Sequence, residues 1–238
     1  ARESNTVSNS YKNEKFPVLF HFLLSYAYQK IDLVICQSKS MANDLVLNYG
    51  FNADKINIIY NPVDQDHISK LIQQAPKEDH NGIIRLVYIG RLTPQKGLER
   101  LLHIMYLLKD FSYRLQIIGE GEMREQLLHL CESLSLKDTV EFKGIQANPF
   151  TYLQRADCLL LTSHYEGLPN VKLEANACGV LVIAFDSPGA MAEVIENDYN
   201  GWLVPDGDME AFAQLIKSKK YLHLDKTAIK NRTLENFN

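Results

Sequence analysis

An excess of positive charge is missing from this chain: 25 Lys and Arg stand against 29 Asp and Glu, a net charge of −4 over 238 residues. A dedicated nucleic-acid binder carries a basic excess on one face, so nucleic acid is not an expected partner, although a local basic pocket for phosphate stays open. Cysteine is scarce. Its four residues, Cys36, Cys131, Cys158 and Cys178, show no CxxC or Cys/His spacing of the kind that holds a metal. Three of them sit in apolar strand or helix surroundings, which reads as buried free thiols in a reducing compartment. No apolar run reaches membrane length: the longest, from Phe16 to Tyr28, is interrupted by Pro17, His21 and Ser25, whereas a span needs about 20 predominantly apolar residues. The amino end, Ala1-Arg2-Glu3-Ser4-Asn5-Thr6, is polar and has no leader pattern. The triplet Asn231-Arg232-Thr233 matches a glycosylation acceptor but carries no meaning in a cytosolic protein.

What is present is a 46% hydrophobic composition, enough for a full core and for one domain plus a piece of another. There is no internal repeat and no low-complexity tract. Short β-branched runs alternate with helical patterns and glycine turns, so the expected class is α/β with parallel strands. An early unit combines a helix around 17–30, a strand over 31–36, a helix around 40–49 and a strand over 55–60. Ser38 or Ser40 can cap the second helix and Gly50 suits its far end. Asn61-Pro62-Val63-Asp64 then breaks the pattern, and the polar stretch Gln73–Asn81 has no strong period. A boundary near 61–64 divides the chain into residues 1–62 and 63–238.

From Arg85 the alternation is regular, with strands over 85–90, 113–118, 139–143, 157–162, 180–184 and 201–204. Helices fit between and after them, near 97–109, 121–134, 148–155, 170–178, 189–196 and 208–218. That is a complete Rossmann-like, doubly wound parallel sheet, in which ligands sit beyond the carboxyl ends of the strands.

Three loops at that edge carry candidate chemistry. The first strand runs into Gly90-Arg91-Leu92-Thr93-Pro94-Gln95-Lys96-Gly97. Arg91 can fork two phosphate oxygens and Lys96 can add a point charge, beside a helix start that itself favours anions. The second strand ends in Gly119-Glu120-Gly121-Glu122-Met123-Arg124. This departs from the dinucleotide fingerprint, because Arg124 stands at the third glycine and two carboxylates would oppose a pyrophosphate. The dinucleotide reading is rejected, and Gly119 reads as a turn that passes close to a ligand. The fourth strand leads to Ser163-His164-Tyr165-Glu166-Gly167-Leu168-Pro169-Asn170-Val171-Lys172-Leu173-Glu174. Its glycine turn and helix start can aim N–H groups at an anion, and Glu174 can accept from sugar or ribose hydroxyls. Spacing alone leaves Arg91 and Lys96 as ordinary surface cations and the two glutamates as solvated acids.

Glu166 and Glu174 form an E-x7-E pair within EGLPNVKLEANACG, which closely resembles the signature of glycosyltransferase family 4, a retaining family of GT-B fold. IDLVICQS, INIIYNPVD, LVYIGRLTPQKGLERLL, LQIIGEGEMREQL, VEFKGI and NGWLVPDGD follow the family's order and spacing over most of the chain. The resemblance implies that Arg91 and Lys96, with Gly90 and Gly119 in the adjoining turns, bind a donor diphosphate. It assigns Glu166 to hydroxyls of the transferred sugar as the catalytic-site acid. Gly167, Leu168, Pro169, Asn170 and Val171 lie near sugar and phosphate, Glu174 holds the ribose, and Ile145 meets the nucleobase. His164 is expected to support the turn. Asp206-Gly207-Asp208 matches a metal-holding DxD, but Asp208 suits a helix cap after Pro205, and the family is generally metal-independent. No metal and no cofactor is expected; the nucleotide sugar, with UDP as first choice, is a substrate.

The same resemblance implies a glycan or lipid-linked hydroxyl acceptor in bacterial surface-polysaccharide or lipid-linked glycan synthesis, and a cytoplasmic location with peripheral contact to the inner membrane. Residues 1–62 resemble the closing part of an acceptor-side domain, and residues 63–238 the donor-binding domain. The chain is therefore expected to bind donor without transferring sugar by itself. A GT-B epimerase or phosphorylase, and a non-catalytic nucleotide-sugar-binding subunit, stand as the alternatives.

Overall fold

The computed structural model describes residues 2–3, 7–8, 17–72 and 82–237. The aperiodic stretch 73–81 and most of the polar amino end lie outside them. The fold is α/β with two parallel sheets. Residues cluster into two compact units, Ala1–Asn61 with Tyr165–Pro169 and Pro188–Val194 in the first, and Pro62–His164, Asn170–Ser187 and Ile195–Asn238 in the second. In chain order the helices are α1 (Pro17–Gln29), α2 (Lys39–Tyr49), α3 (Gln65–Ile72), α4 (Leu98–Leu107), α5 (Arg124–Ser133), α6 (Phe150–Arg155), α7 (Asn170–Ala177), α8 (Met191–Val194), α9 (Met209–Ser218) and α10 (Lys226–Phe237).

In the first unit, strands β1 (Arg2–Glu3), β2 (Val34–Cys36) and β3 (Ile56–Ile58) pair in that order. The strands expected over 31–36 and 55–60 are shorter than their apolar runs, because the β2–β3 ladder runs only from Val34 opposite Ile56 to Cys36 opposite Ile58. The local signals for α2 hold: the Ser38 hydroxyl accepts from the Met41 N–H, and Gly50 ends the helix at φ 63°. Val34, Cys36, Met41, Leu45, Tyr49 and Phe51 form the unit's small core with Tyr28.

The second unit holds β4 (Ile84–Ile89), β5 (Tyr113–Ile118), β6 (Val140–Gly144), β7 (Cys158–Leu161), β8 (Leu181–Asp186) and β9 (Gly201–Pro205). Their order is β6-β5-β4-β7-β8-β9, all parallel. Strands covered on both faces need continuous apolar sequence. Cys158-Leu159-Leu160-Leu161 and Leu181-Val182-Ile183-Ala184-Phe185 supply it, and all of these are buried. Helix α4 turns Leu98, Leu101, Leu102 and Met105 into the same core, the i, i+3, i+4, i+7 stripe of an amphipathic helix. Among the described residues none of the four cysteines is in a disulfide; Cys36, Cys131 and Cys158 are buried and Cys178 is half-buried. The chain direction along the sheet reverses between β4 and β7, which fixes the crevice where a ligand of such a sheet belongs.

Candidate functional site

The loops beyond β4 and β5 are zipped together past the ends of their strands. Gly90 N–H bonds Ile118 O at 3.0 Å, Leu92 N–H bonds Glu120 O at 2.9 Å, and Met123 N–H returns to Leu92 O at 3.0 Å. The Tyr88 hydroxyl donates to Arg91 O at 2.9 Å. Gly119 stands at φ 134°, and a Cβ there would lie 1.9 Å from the Gly90 carbonyl oxygen. The turn thus requires glycine for a neighbour within the chain, a reason different from the ligand approach read from sequence. Gly119 N–H also bonds Gly144 O at 2.9 Å, which draws in the end of β6. Ile145 follows, 78% exposed.

The Arg91–Lys96 loop is equally braced on the β7 side. His164 N–H donates to Gln95 O at 2.8 Å, and the Thr162 hydroxyl donates to Lys96 O at 3.3 Å. Arg100, on the first turn of α4, donates from Nε and Nη2 to the Thr162 carbonyl, pairs with Asp206 through Nη1 at 2.7 Å and lies over the Phe185 ring at 4.5 Å. Burial, then the Arg100 charge, push His164 below the ordinary histidine pKa. Arg91 is exposed and Lys96 half-buried. Within this unit the chain therefore gathers Gly90, Arg91, Lys96, Gly119 and Ile145 at the carboxyl ends of β4, β5 and β6. Asn170, Val171 and Glu174 lie on α7, the helix that follows β7. Burial raises the Glu174 carboxyl above the usual range, so it holds its negative charge less firmly than a surface acid does.

Glu166 is counted with the first unit, as are Gly167, Leu168 and Pro169. It is 6% exposed and forms a parallel bridge with Gly189. Its N–H donates to Pro188 O at 3.0 Å, and its carbonyl accepts from Ala190 N–H at 3.3 Å. The solvated loop acid that spacing alone allowed is thus a framed, buried residue.

Asp206-Gly207-Asp208 is used structurally. Asp206 pairs with Arg100, and Asp208 caps α9 by accepting from Ala211 N–H at 2.9 Å. No cluster of three or more His, Cys, Asp or Glu able to hold a metal ion occurs among the described residues, and no described helix is long and apolar enough to cross a membrane. Arg100, Glu193 and Lys172 escaped the sequence reading. The first two act through partners far along the chain, and no local signal in the sequence marks Lys172 for burial. It is 1% exposed. Burial, then the nearby Arg232 charge, bring its pKa down to about 7.

Residues 70–228 match the family described as glycosyl transferases group 1, and residues 6–67 match glycosyltransferase family 4. The chain belongs to these group 1, family 4 glycosyltransferases, and its fold is of the GT-B type. It is 30% identical over 218 residues to N-acetylgalactosamine-N,N'-diacetylbacillosaminyl-diphospho-undecaprenol 4-alpha-N-acetylgalactosaminyltransferase of Campylobacter jejuni, a match covering 91% of this chain and 58% of the relative. The chain spans about half the length of the curated relatives it matches. Among solved structures, the Anabaena protein HepE in complex with UDP-glucose shares the fold, with a TM-score of 0.83, 21% identity, and coverage of 100% of this chain and 67% of that one. A TarM variant from S. aureus, in complex with fondaparinux, alpha-GlcNAc-glycerol and UDP, aligns with a TM-score of 0.71 and 25% identity over 90% of this chain and 42% of that one.

Proposed function

We propose that this chain supplies the donor-binding part of a retaining glycosyltransferase that moves a sugar from a nucleotide diphosphate, with UDP as the nucleotide, to a hydroxyl of a glycan or lipid-linked acceptor. The observation that carries the reading is the braced loop at the switch point of the six-stranded sheet. Arg91 and Lys96 sit on a turn tied to β5 on one side and to the segment after β7 on the other. As the glycosidic bond to the diphosphate breaks, charge builds on the departing phosphate while the sugar gains oxocarbenium character. Cations and amide dipoles fixed in advance strengthen as that charge develops and cost no rearrangement. In this reading Arg91 and Lys96 take the diphosphate, and Glu166 takes the sugar hydroxyls. The backbone of Gly167 to Val171 lies near sugar and phosphate, Glu174 takes the ribose, and the turn at Ile145 takes the base. No metal enters, because side-chain cations carry the charge.

The UDP bound in the TarM variant supports the choice of nucleotide. The diphospho-undecaprenol named in the Campylobacter relative supports a lipid-linked acceptor and work at the cytoplasmic face of the inner membrane as a peripheral protein. Residues 63–238 then form the donor-binding domain, and residues 1–62 the closing part of the acceptor-side domain. We assign the chain donor binding without transfer by itself, since every contact in this reading is to the donor and none positions an acceptor. The test is calorimetry of the chain with UDP, GDP and ADP and their sugars, with and without EDTA, followed by transfer assays beside a full-length relative. Binding of a uridine diphosphate that survives EDTA, with no transfer by the chain, is the expected result. Nucleotide binding that vanishes with EDTA would overturn the metal-free reading, and absence of nucleotide binding would overturn the donor site.

A further inference from the structure

Glu193 lies on α8, a single turn of four residues, and it is half-buried. Its carboxylate holds the start of α2. Lys39 N–H donates to Oε2 at 2.8 Å and Ser40 N–H donates to Oε1 at 2.5 Å, across 154 and 153 residues of sequence. The next N–H, from Met41, goes to the Ser38 hydroxyl at 3.2 Å. A helix start leaves four N–H groups without intrahelical partners and favours negative charge, so two oxygens on two successive N–H groups make a firm, directional anchor. The Tyr60 hydroxyl adds a third bond to Oε2 at 3.3 Å. Burial and the Glu193 charge raise the Tyr60 pKa, which keeps the phenol a donor.

The other end of the same short segment frames Glu166. Pro188 O accepts from Glu166 N–H and Ala190 N–H donates to Glu166 O. Between them Gly189 runs at φ 125° so close to Glu166 that a Cβ would come within 1.6 Å of the Glu166 carbonyl oxygen. This contact is a lone bridge without a ladder around it. The segment leaves the end of β8, whose ladder stops at Asp186, so beyond that point its position depends on what fixes it past Ala190, three residues from Glu193. All of these residues belong to the first compact unit.

We propose that Glu193 is a positioning residue: by docking its carboxylate on the start of α2 it fixes Pro188-Gly189-Ala190, and through them it sets Glu166 against the transferred sugar. The sugar-contact half of this inference rests on the donor reading given above. It predicts a split that a plain helix cap does not. The diphosphate contacts assigned to Arg91 and Lys96 do not depend on Glu193, so loss of its carboxylate impairs recognition of the sugar and spares that of the nucleotide.

The experiment uses the whole chain with UDP and UDP-glucose as probes, together with amide exchange. In Glu193→Ala, exchange at Glu166 and Ala190 should accelerate along with Lys39 and Ser40, while β4 and β5 amides stay protected. UDP-glucose binding should weaken about tenfold, the size of one displaced hydrogen bond, with UDP binding unchanged. Glu193→Gln keeps the shape and one acceptor, and should fall between Ala and the parent chain. Unchanged exchange at Glu166 and Ala190 in Glu193→Ala overturns the proposal. Equal weakening of UDP and UDP-glucose also overturns it, since that is the mark of a structural role alone. Glu166→Ala separates the two readings: if it leaves the UDP-glucose to UDP ratio untouched, the sugar-contact assignment fails, while the exchange data still decide whether Glu193 fixes the segment.

Discussion

Helices α1 and α4 are both rich in apolar residues, yet they lead opposite lives. In α1, of the first unit, Val18, Leu19, Phe22, Leu23 and Tyr26 are between 54% and 82% exposed. In α4, of the second, Leu98, Leu101, Leu102, Ile104 and Met105 are all buried. The sheets differ in the same sense: β2 and β3 pair over three residues, whereas β4 and β5 pair over six, from Ile84 opposite Tyr113 to Ile89 opposite Ile118. Hydrophobic content is therefore a supply of burial free energy that is realised only where a partner surface lies alongside.

The contrast breaks most visibly in the core of the second unit. Phe185 is fully buried, packed edge-on against Phe212 at 5.0 Å and under the Arg100 guanidinium. Phe185→Ala should cost about 3–5 kcal/mol of unfolding free energy, measured by urea denaturation. A loss below about 1 kcal/mol would show that this core is not the stabilising one.

Lys172 is the exception within that well-packed unit, so its removal should stabilise. Its folded pKa of about 7 lies below the ordinary 10.5. Between these values the unfolded chain binds a proton that the folded chain does not, so wild-type stability rises with pH across that window. Lys172→Met should raise stability by roughly 2–4 kcal/mol at pH 7, and the gain should shrink toward pH 10. Thermal melts at the two pH values check the sign; a gain that grows with pH would refute the burial argument.

Binding should be lost in the second unit without loss of fold. Arg91→Ala and Lys96→Ala should each weaken UDP binding by about 1–3 kcal/mol, one charge-assisted contact apiece, with melting temperatures unchanged. Calorimetry beside melts reads both. The smallest effect is expected in the first unit: Phe22→Ser, at a side chain 68% exposed, should alter unfolding free energy by less than about 0.5 kcal/mol. It should also reduce self-association in light scattering, since it removes part of an exposed apolar face. A large destabilisation there would mean that α1 carries more packing than its exposure indicates.

Much of this molecule was written locally. The strand over 113–118 follows from its apolar run, and the start and end of α2 follow from Ser38 and Gly50. Asp208 follows from its place before Met209, and the E-x7-E spacing carries Glu166 and Glu174 into a recognisable order. Each depends on residues within a turn or two of one another, where chain geometry is nearly decided by φ, ψ and side-chain type. Tertiary structure alone decided that the ladders of β2 and β3 stop after three residues and that Lys172 is sealed in. It also put Arg100 on Thr162 and Asp206, and Glu193 on the start of α2. Those outcomes turn on which backbone groups and side chains arrive from distant parts of the chain. A hydrogen bond spanning 154 residues leaves no trace in local periodicity, because its donor and acceptor meet only after both segments have been packed.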